Sequence, residues 1–353
     1  MENMKRKNWF SLAIGILPIL ILVWLVFQGD TQAALAALKD ANLGWMLAAL
    51  GCIIAYWLCE SGCLWGVTRQ LGIPYSQGDS LHTTLMGQLF NNLTPFASGG
   101  QPIQVYDMTR RGVSAGRGSG ALLLKFILYQ GILTVYCTVL LILRLPMFFE
   151  NVPGFGWLVL VGYGINCSTL ITLMAVGLFP GGTERLAHKL VGLLGRWHWL
   201  KRPEALQEKI TEEFAAFGKS FRKLKYRKRI LARVCVLTVI QLTFFFALPY
   251  FICRALGAVN PDFISVIAAA SFVLLVSSFV PLPGAAGGAE SSFYLLFGMF
   301  FAQPTLTAVA VLLWRLLTFC LPIVVGLVAM YLPARKKSLP AEEPPEGPVE
   351  KDG

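Results

Sequence analysis

Charge is what this chain of 353 residues has least of: Asp, Glu, Lys and Arg together make 14% of it, against 56% hydrophobic residues. Catalytic signatures are equally scarce. The eight cysteines fall in apolar stretches with no CxxC spacing, so neither a disulfide framework nor a thiolate metal site is implied. His82, His188 and His198 stand isolated, with no HExxH and no spaced carboxylate partner, which speaks against a metal centre. No Walker A sequence and no GxSxG occurs, so ATP hydrolysis and a serine nucleophile have nothing to rest on. No cofactor is expected.

What is present is apolar length. With a mean hydropathy of +0.62, the chain holds six runs of about 20 residues, enough to cross roughly 30 Å of hydrocarbon: 9–27, 43–67, 121–143, 157–179, 230–253 and 305–332. The fold class follows as an all-α polytopic membrane protein. Its net charge of +11 is carried by basic residues between the runs, with no nucleic-acid motif around them. They report topology instead. The loop 183–229 holds thirteen Lys/Arg against five Glu and marks the cytoplasmic side. Within it Leu206, Ile210, Phe214, Phe217, Phe221 and Leu224 recur at helical spacing, an amphipathic helix for the inner leaflet or for packing on the protein. The basic start MENMKRKNW reads as the flank of an uncleaved first span, which places both termini in the cytosol. Residues 29–42 read as a short external loop and 333–353 as a disordered tail.

Two apolar regions are interrupted. In 81–105 the segment NNLTPFASGGQP, and in 263–301 the segment PLPGAAGGAESS, place prolines and paired glycines where a helix cannot continue. The first region is too short for two full crossings, and counting both as returning to their own side places every basic cluster in the cytosol, so both read as re-entrant broken hairpins. They also repeat. Arg69-Gln-Leu71-Gly72 returns as Arg254-Ala-Leu256-Gly257, and Asn92-Leu-Thr-Pro95 with Gly99-Gly100 returns as Ser278-Phe-Val-Pro281 with Gly287-Gly288, at an offset of about 185 residues. The implied units, 43–143 and 230–332, are antiparallel, which is the sequence signature of a midplane transport site; two unrelated glycine-rich kinks remain the plainer alternative.

The combination of LTPFASGGQP, a basic loop, a lysine-bearing span and VPLPGAAGGAE resembles the membrane region of lysylphosphatidylglycerol synthases over about residues 9–332. The resemblance implies lipid flipping in the membrane; the separate aminoacyl-transferring domain of the two-part synthases has no counterpart after Leu332.

Charges inside spans are the candidate substrate-binding residues, because an Arg or Lys at a helix centre costs about 2.5–3.5 kcal/mol. Arg315 lies deepest, as a phosphate ligand or a structural ion pair. Lys125 and Glu60 lie near the inner edges of their spans, within snorkelling reach. Glu290 follows Gly287 and Gly288, placed to cap a half-helix. Asn91, Asn92, Ser98 and Gln101 add neutral polar groups, and the amides after Gly99-Gly100 and Gly287-Gly288 are placed to bind phosphate oxygens. The expected partners are anionic or aminoacylated phospholipids. A lipid transporter of the cytoplasmic membrane, the membrane half of a transferase with a separate catalytic chain, and a non-transporting scaffold all remain open at this point.

Overall fold

The computed structural model describes residues 31–152, 154–178, 228–259, 261–278 and 280–332. The run 9–27, nearly all of the basic loop with its amphipathic pattern, and the tail lie outside the described residues. Every regular element among the described residues is helical. Five helices are long and apolar enough to cross a membrane: Leu43–Gln70, Ala115–Glu150, Phe155–Thr172, Lys228–Ala255 and Pro304–Tyr331. Large apolar side chains such as Val135, Ile142, Val236, Val324 and Val328 stand exposed on their outer faces, as a lipid solvent requires.

The chain first departs from expectation at α1 (Thr31–Asp40), where the supposed loop is a helix. Its sequence TQAALAALKD consists mainly of strong helix formers, and Ala34 is buried against the core. Helix α2 (Leu43–Gln70) starts at Asn42, whose side chain accepts from the Trp45 amide at 3.3 Å. It packs along α7 (Lys228–Ala255). Gly62 and Gly66, one turn apart on α2, make that approach possible, since a Cβ on either would lie 2.7–2.8 Å from Leu237 or Val234. Both helices end in the same way. Ile73 N–H bonds Thr68 C=O at 2.9 Å and Ala258 N–H bonds Cys253 C=O at 2.9 Å, over Gly72 and Gly257, each at φ 69°. The repeated Leu-Gly pair is therefore one helix-stop used twice.

After each stop the chain folds into a broken hairpin. The first is α3 (Gln77–Leu93), a single turn Pro95–Ala97 and α4 (Gly100–Arg110). It is followed by α5 (Ala115–Asn151) and α6 (Phe155–Leu178). The second hairpin is α8 (Phe263–Ser277), the turn Pro283–Ala285 and α9 (Gly288–Phe297). It leads into α10 (Pro304–Arg315), a π turn Leu316–Cys320 and α11 (Leu321–Tyr331). The two arms of each hairpin pack on one another, and the two turns touch. Pro322 lacks the N–H that Thr318 C=O would otherwise receive, and the wider π turn after Arg315 accommodates that gap.

The turns match in backbone geometry. Thr94 (φ −118°, ψ 146°) leads to Phe96 (φ 54°, ψ 21°), and Leu282 (φ −119°, ψ 150°) leads to Gly284 (φ 60°, ψ 17°). The structural partner of Pro95 is thus Pro283, in place of the Pro281 that sequence order suggests. A proline with fixed φ suits the first position of the turn, and from there both glycine pairs follow at the same interval. Phe96, Ala97 and Ala285 are held at positive φ, a conformation that costs an L-residue about 1–2 kcal/mol.

Gly284 has the least freedom to change, because a Cβ there would also stand 2.2 Å from the Phe319 ring. Gly284→Ala is expected to destabilise the protein by about 2–4 kcal/mol, from the left-handed conformation and the overlap together. Gly131→Ala, where nothing lies within 4 Å in the middle of α5, is the control and should be neutral or stabilising by about 0.5–1 kcal/mol. Thermal unfolding midpoints of the detergent-solubilised variants check both.

Candidate functional site

A cavity of about 740 Å³ lies where the two turns meet, walled by α2, α3, α5, α7, α8 and the rod carrying Arg315. Seven residues singled out from the sequence line it: Glu60, Asn91, Asn92, Ser98, Gln101, Lys125 and Arg315. Gly99, Gly100, Gly287, Gly288 and Glu290 do not. Phe126, Phe245, Leu274 and Phe293 supply apolar wall between the polar groups.

The four charges are already paired. Lys125 Nζ donates to Glu60 Oε1 at 2.7 Å, and Gln88 Nε2 donates to Glu60 Oε2 at 2.6 Å while lying 3.3 Å from the Tyr56 hydroxyl. Arg315 Nε stands 2.7 Å from Glu290 Oε1, close enough for an ion pair although the N–H is not aligned on the oxygen. Both cations are nearly buried, with side chains 12% and 6% exposed. Each stands about three turns past its helix's N-cap, Ser114 for Lys125 and Gln303 for Arg315, so they occupy matching places in the two halves. Their carboxylates do not match, since Glu60 comes from α2 and Glu290 from α9.

The two cations are also employed differently. Arg315 Nη1 donates to Gly284 C=O at 2.9 Å and Nη2 to Ala285 C=O at 3.5 Å, so it holds the second turn in place. Lys125 makes one bond from three donors and keeps the rest for the cavity. Glu290 combines both readings of the sequence: it pairs with Arg315, and its Oε2 accepts the Gly287 amide at 2.6 Å as a cap.

Three amides of the glycine pairs themselves, those of Gly99, Gly100 and Gly287, are engaged within the hairpins. Gly99 N–H donates to Thr94 Oγ1 at 2.8 Å and Gly100 N–H to Asn91 Oδ1 at 3.0 Å. A Cβ on Gly100 would fall 2.0 Å from Asn91 Oδ1, and one on Gly288 would fall 2.1 Å from Val280. Gly100 and Gly288 thus serve the close packing of each turn. Ser98 donates to Pro95 C=O and Asn92 to Gln88 C=O. Gln101 is exposed to the cavity, where its amide is open to a ligand.

Two groups escaped the sequence reading. Beside the cavity Gln130 donates to Asn166 Oδ1 at 2.5 Å, and Asn166 donates to Thr134 at 2.8 Å, all three buried. The four-residue interval from Gln130 to Thr134 in an apolar span was the available signal. The second is a correction: His82 is not isolated, because its Nδ1 lies 3.1 Å from Asp107 Oδ2. Those residues are 25 positions apart, and only the folding back of α4 onto α3 joins them. Asp107 lies outside the five spans. Burial pushes its carboxyl up, but hydrogen bonds from His82 and Thr83 and the charges of His82 and Arg111 outweigh this and hold it below the ordinary carboxylate range.

Lys125→Met is expected to cost about 3–5 kcal/mol, because it strands Glu60 as a buried charge, whereas Lys125→Met with Glu60→Gln should recover most of that loss. A double-mutant cycle on unfolding midpoints measures the coupling.

With this geometry in hand, the chain was compared with known proteins. The profile of a family described as the lysylphosphatidylglycerol synthase TM region matches residues 8–326. A UPF0104 membrane protein of Archaeoglobus fulgidus is 25% identical over 333 residues, covering 90% of this chain and 95% of the relative. A UPF0104 membrane protein of Methanothermobacter thermautotrophicus is 21% identical over 342 residues, covering 93% and 96%. One of Pyrococcus horikoshii is 23% identical over 336 residues, covering 91% and 95%.

Proposed function

The chain belongs to the lysylphosphatidylglycerol synthase TM-region family and is a multi-pass membrane protein, and from that premise we propose that it carries a phospholipid headgroup across the cytoplasmic membrane. The headgroup occupies the central cavity while the acyl chains stay in lipid. Both hairpins are re-entrant, entering from opposite leaflets, and the units 43–143 and 230–332 are inverted copies that rock about the α2–α7 contact to open the cavity to either side. With both termini cytosolic, the first hairpin has its base at the cytosolic surface.

The observation that carries this reading is the meeting of two helix-break turns around a cavity lined by the Lys125–Glu60 ion pair, by Arg315 and by neutral polar side chains. Buried ionisable residues at such a depth favour a transported polar group over a purely structural bundle. Lys125, with donors to spare, is the phosphate ligand, and Gln101 is a second, neutral contact. The carboxylates beside the cations suit a headgroup that also bears a positive charge, so an anionic or aminoacylated phosphatidylglycerol fits both parts. In a second reading the chain is the membrane component of a phosphatidylglycerol lysyltransferase whose catalytic domain is a separate polypeptide; the family's own description favours it.

Reconstitution into liposomes with fluorescent phosphatidylglycerol decides between them. Wild-type protein alone should exchange the lipid between leaflets. Lys125→Gln should slow exchange about tenfold or more, the loss of a charge-assisted hydrogen bond, and Gln101→Leu, which breaks no internal contact, should slow it by a smaller factor. Rates equal to those of protein-free liposomes would falsify the transport reading and leave the transferase component, to be sought by co-purification of a synthase subunit.

A further inference from the structure

At the base of the first hairpin, away from the cavity, four ionisable side chains form a chain, Arg111 and Asp107 buried and Asp79 and His82 half-buried. Arg111 Nη1 donates to Asp79 Oδ1 at 2.5 Å and its Nε to Asp107 Oδ2 at 3.1 Å. Asp107 Oδ2 also accepts from Thr83 Oγ1 at 2.6 Å, and Thr83 in turn contacts the Tyr75 hydroxyl at 2.5 Å. His82 completes the set. Its Nδ1 faces Asp107 Oδ2 at 3.1 Å, and its Nε2 faces the C=O of Ala329, in the last turn of α11, at 2.9 Å.

Both of those partners only accept. A backbone carbonyl has no proton, and the Asp107 carboxyl, held in its ionised form by Thr83 and Arg111, has none to give. Each ring nitrogen must therefore carry a hydrogen, and the ring that satisfies this geometry is the imidazolium. The charges agree, since Asp79 and Asp107 are balanced by Arg111 and a protonated His82. The end of α11 also presents its negative pole to the ring. Once neutral, the ring can donate to only one partner and turns a lone pair on the other.

We propose that His82 is a proton-binding site that couples movement of the first hairpin to one proton. With the proton bound, His82 clamps the base of the hairpin to the end of α11; when the proton leaves, the remaining hydrogen stays on Nδ1 against the Asp107 anion, the bond to Ala329 C=O is lost and the base is freed. The second hairpin provides the contrast. Its base is tied to the end of α5 by Arg144 Nη2 and Asp262 Oδ2 at 2.6 Å, a guanidinium that stays charged at every physiological pH. Among the described residues, then, one hairpin base is held by a bond that needs a proton and the other by a bond that does not. Among the described residues, the groups facing His82 are those already named: Asp79 on its own helix, Asp107 and Arg111 from the α4 side, and the carbonyl end of α11, whose Tyr331 is exposed. Glu60 of α2 reaches α3 only further along, at Gln88.

The sign is set by the geometry: the clamp exists with both ring nitrogens protonated and is lost with the ring neutral, so raising the pH loosens it. Hydrogen exchange of backbone amides in the full-length protein, compared between about pH 5.5 and about pH 8 and corrected for intrinsic exchange, reads the clamp directly. Protection across residues 77–85 and 325–332 should fall about tenfold or more at the higher pH in wild type. His82→Gln should show no such step. A step that persists in His82→Gln, or its absence in wild type, overturns the proposal. Imidazole nitrogen shifts in the His188→Gln/His198→Gln background keep the test independent of whether His82→Gln folds; a neutral His82 ring at about pH 5.5 overturns it equally. The transport consequence rests on the function proposed above: lipid exchange should respond to a pH gradient in wild type and ignore it in His82→Gln. A protein that shows the protection step but exchanges no lipid sinks the transport reading and leaves the proton site standing, whereas exchange without the step sinks the site alone.

Discussion

A helix that breaks off leaves backbone carbonyls and amides without partners, and each such group costs free energy unless something polar reaches it. Arg315 is the answer at the second hairpin. Its two terminal nitrogens take the carbonyls of Gly284 and Ala285, its Nε faces Glu290, and Glu290 takes the amide of Gly287. One guanidinium and one carboxylate thereby satisfy both sides of the break. The turn, its contact with the first turn and the cavity between them all depend on that arrangement.

The first hairpin solves the same problem with neutral groups, Asn91 on Gly100 and Thr94 on Gly99. Its cation is thereby released from structural service. Lys125 occupies the place in its half that Arg315 occupies in the other, yet it reaches away from the turn to Glu60. Two halves that share a backbone plan have thus diverged, one cation holding the fold and the other facing the cavity. The same divergence recurs at the hairpin bases, where a histidine ties one and an arginine the other. In the proposed transport cycle, near-symmetry would bring the two sides close in energy, and these differences would supply a handle by which a ligand or a proton biases one over the other.

Much of this was legible in the chain order. Apolar runs of bilayer length identified the long helices, and PFASGG and PGAAGG marked the breaks, because proline and paired glycine stop a helix whatever surrounds them. Cations deep in apolar runs pointed to Lys125 and Arg315. What failed were inferences that needed a partner. Residues 31–40 looked like a loop because nothing in the sequence says that Ala34 will meet α10. Pro281 looked equivalent to Pro95 until the backbone angles singled out Pro283. His82 looked isolated because its carboxylate lies on the far side of a turn.

The sequence by itself determined an all-helical membrane protein with two interrupted hydrophobic regions, since these follow from hydropathy, length and the local stereochemistry of proline and glycine. Only the tertiary structure decided which donor meets which acceptor. Pairing is a matter of distance across helices, and a side chain such as Arg315 reads identically in the chain whether it will hold a backbone turn or await a headgroup. The cavity, the split of roles between Lys125 and Arg315, and the pairing of His82 with Asp107 and Ala329 exist because α4 folds back on α3 and α11 closes over the base, contacts between residues distant in sequence that no local pattern encodes.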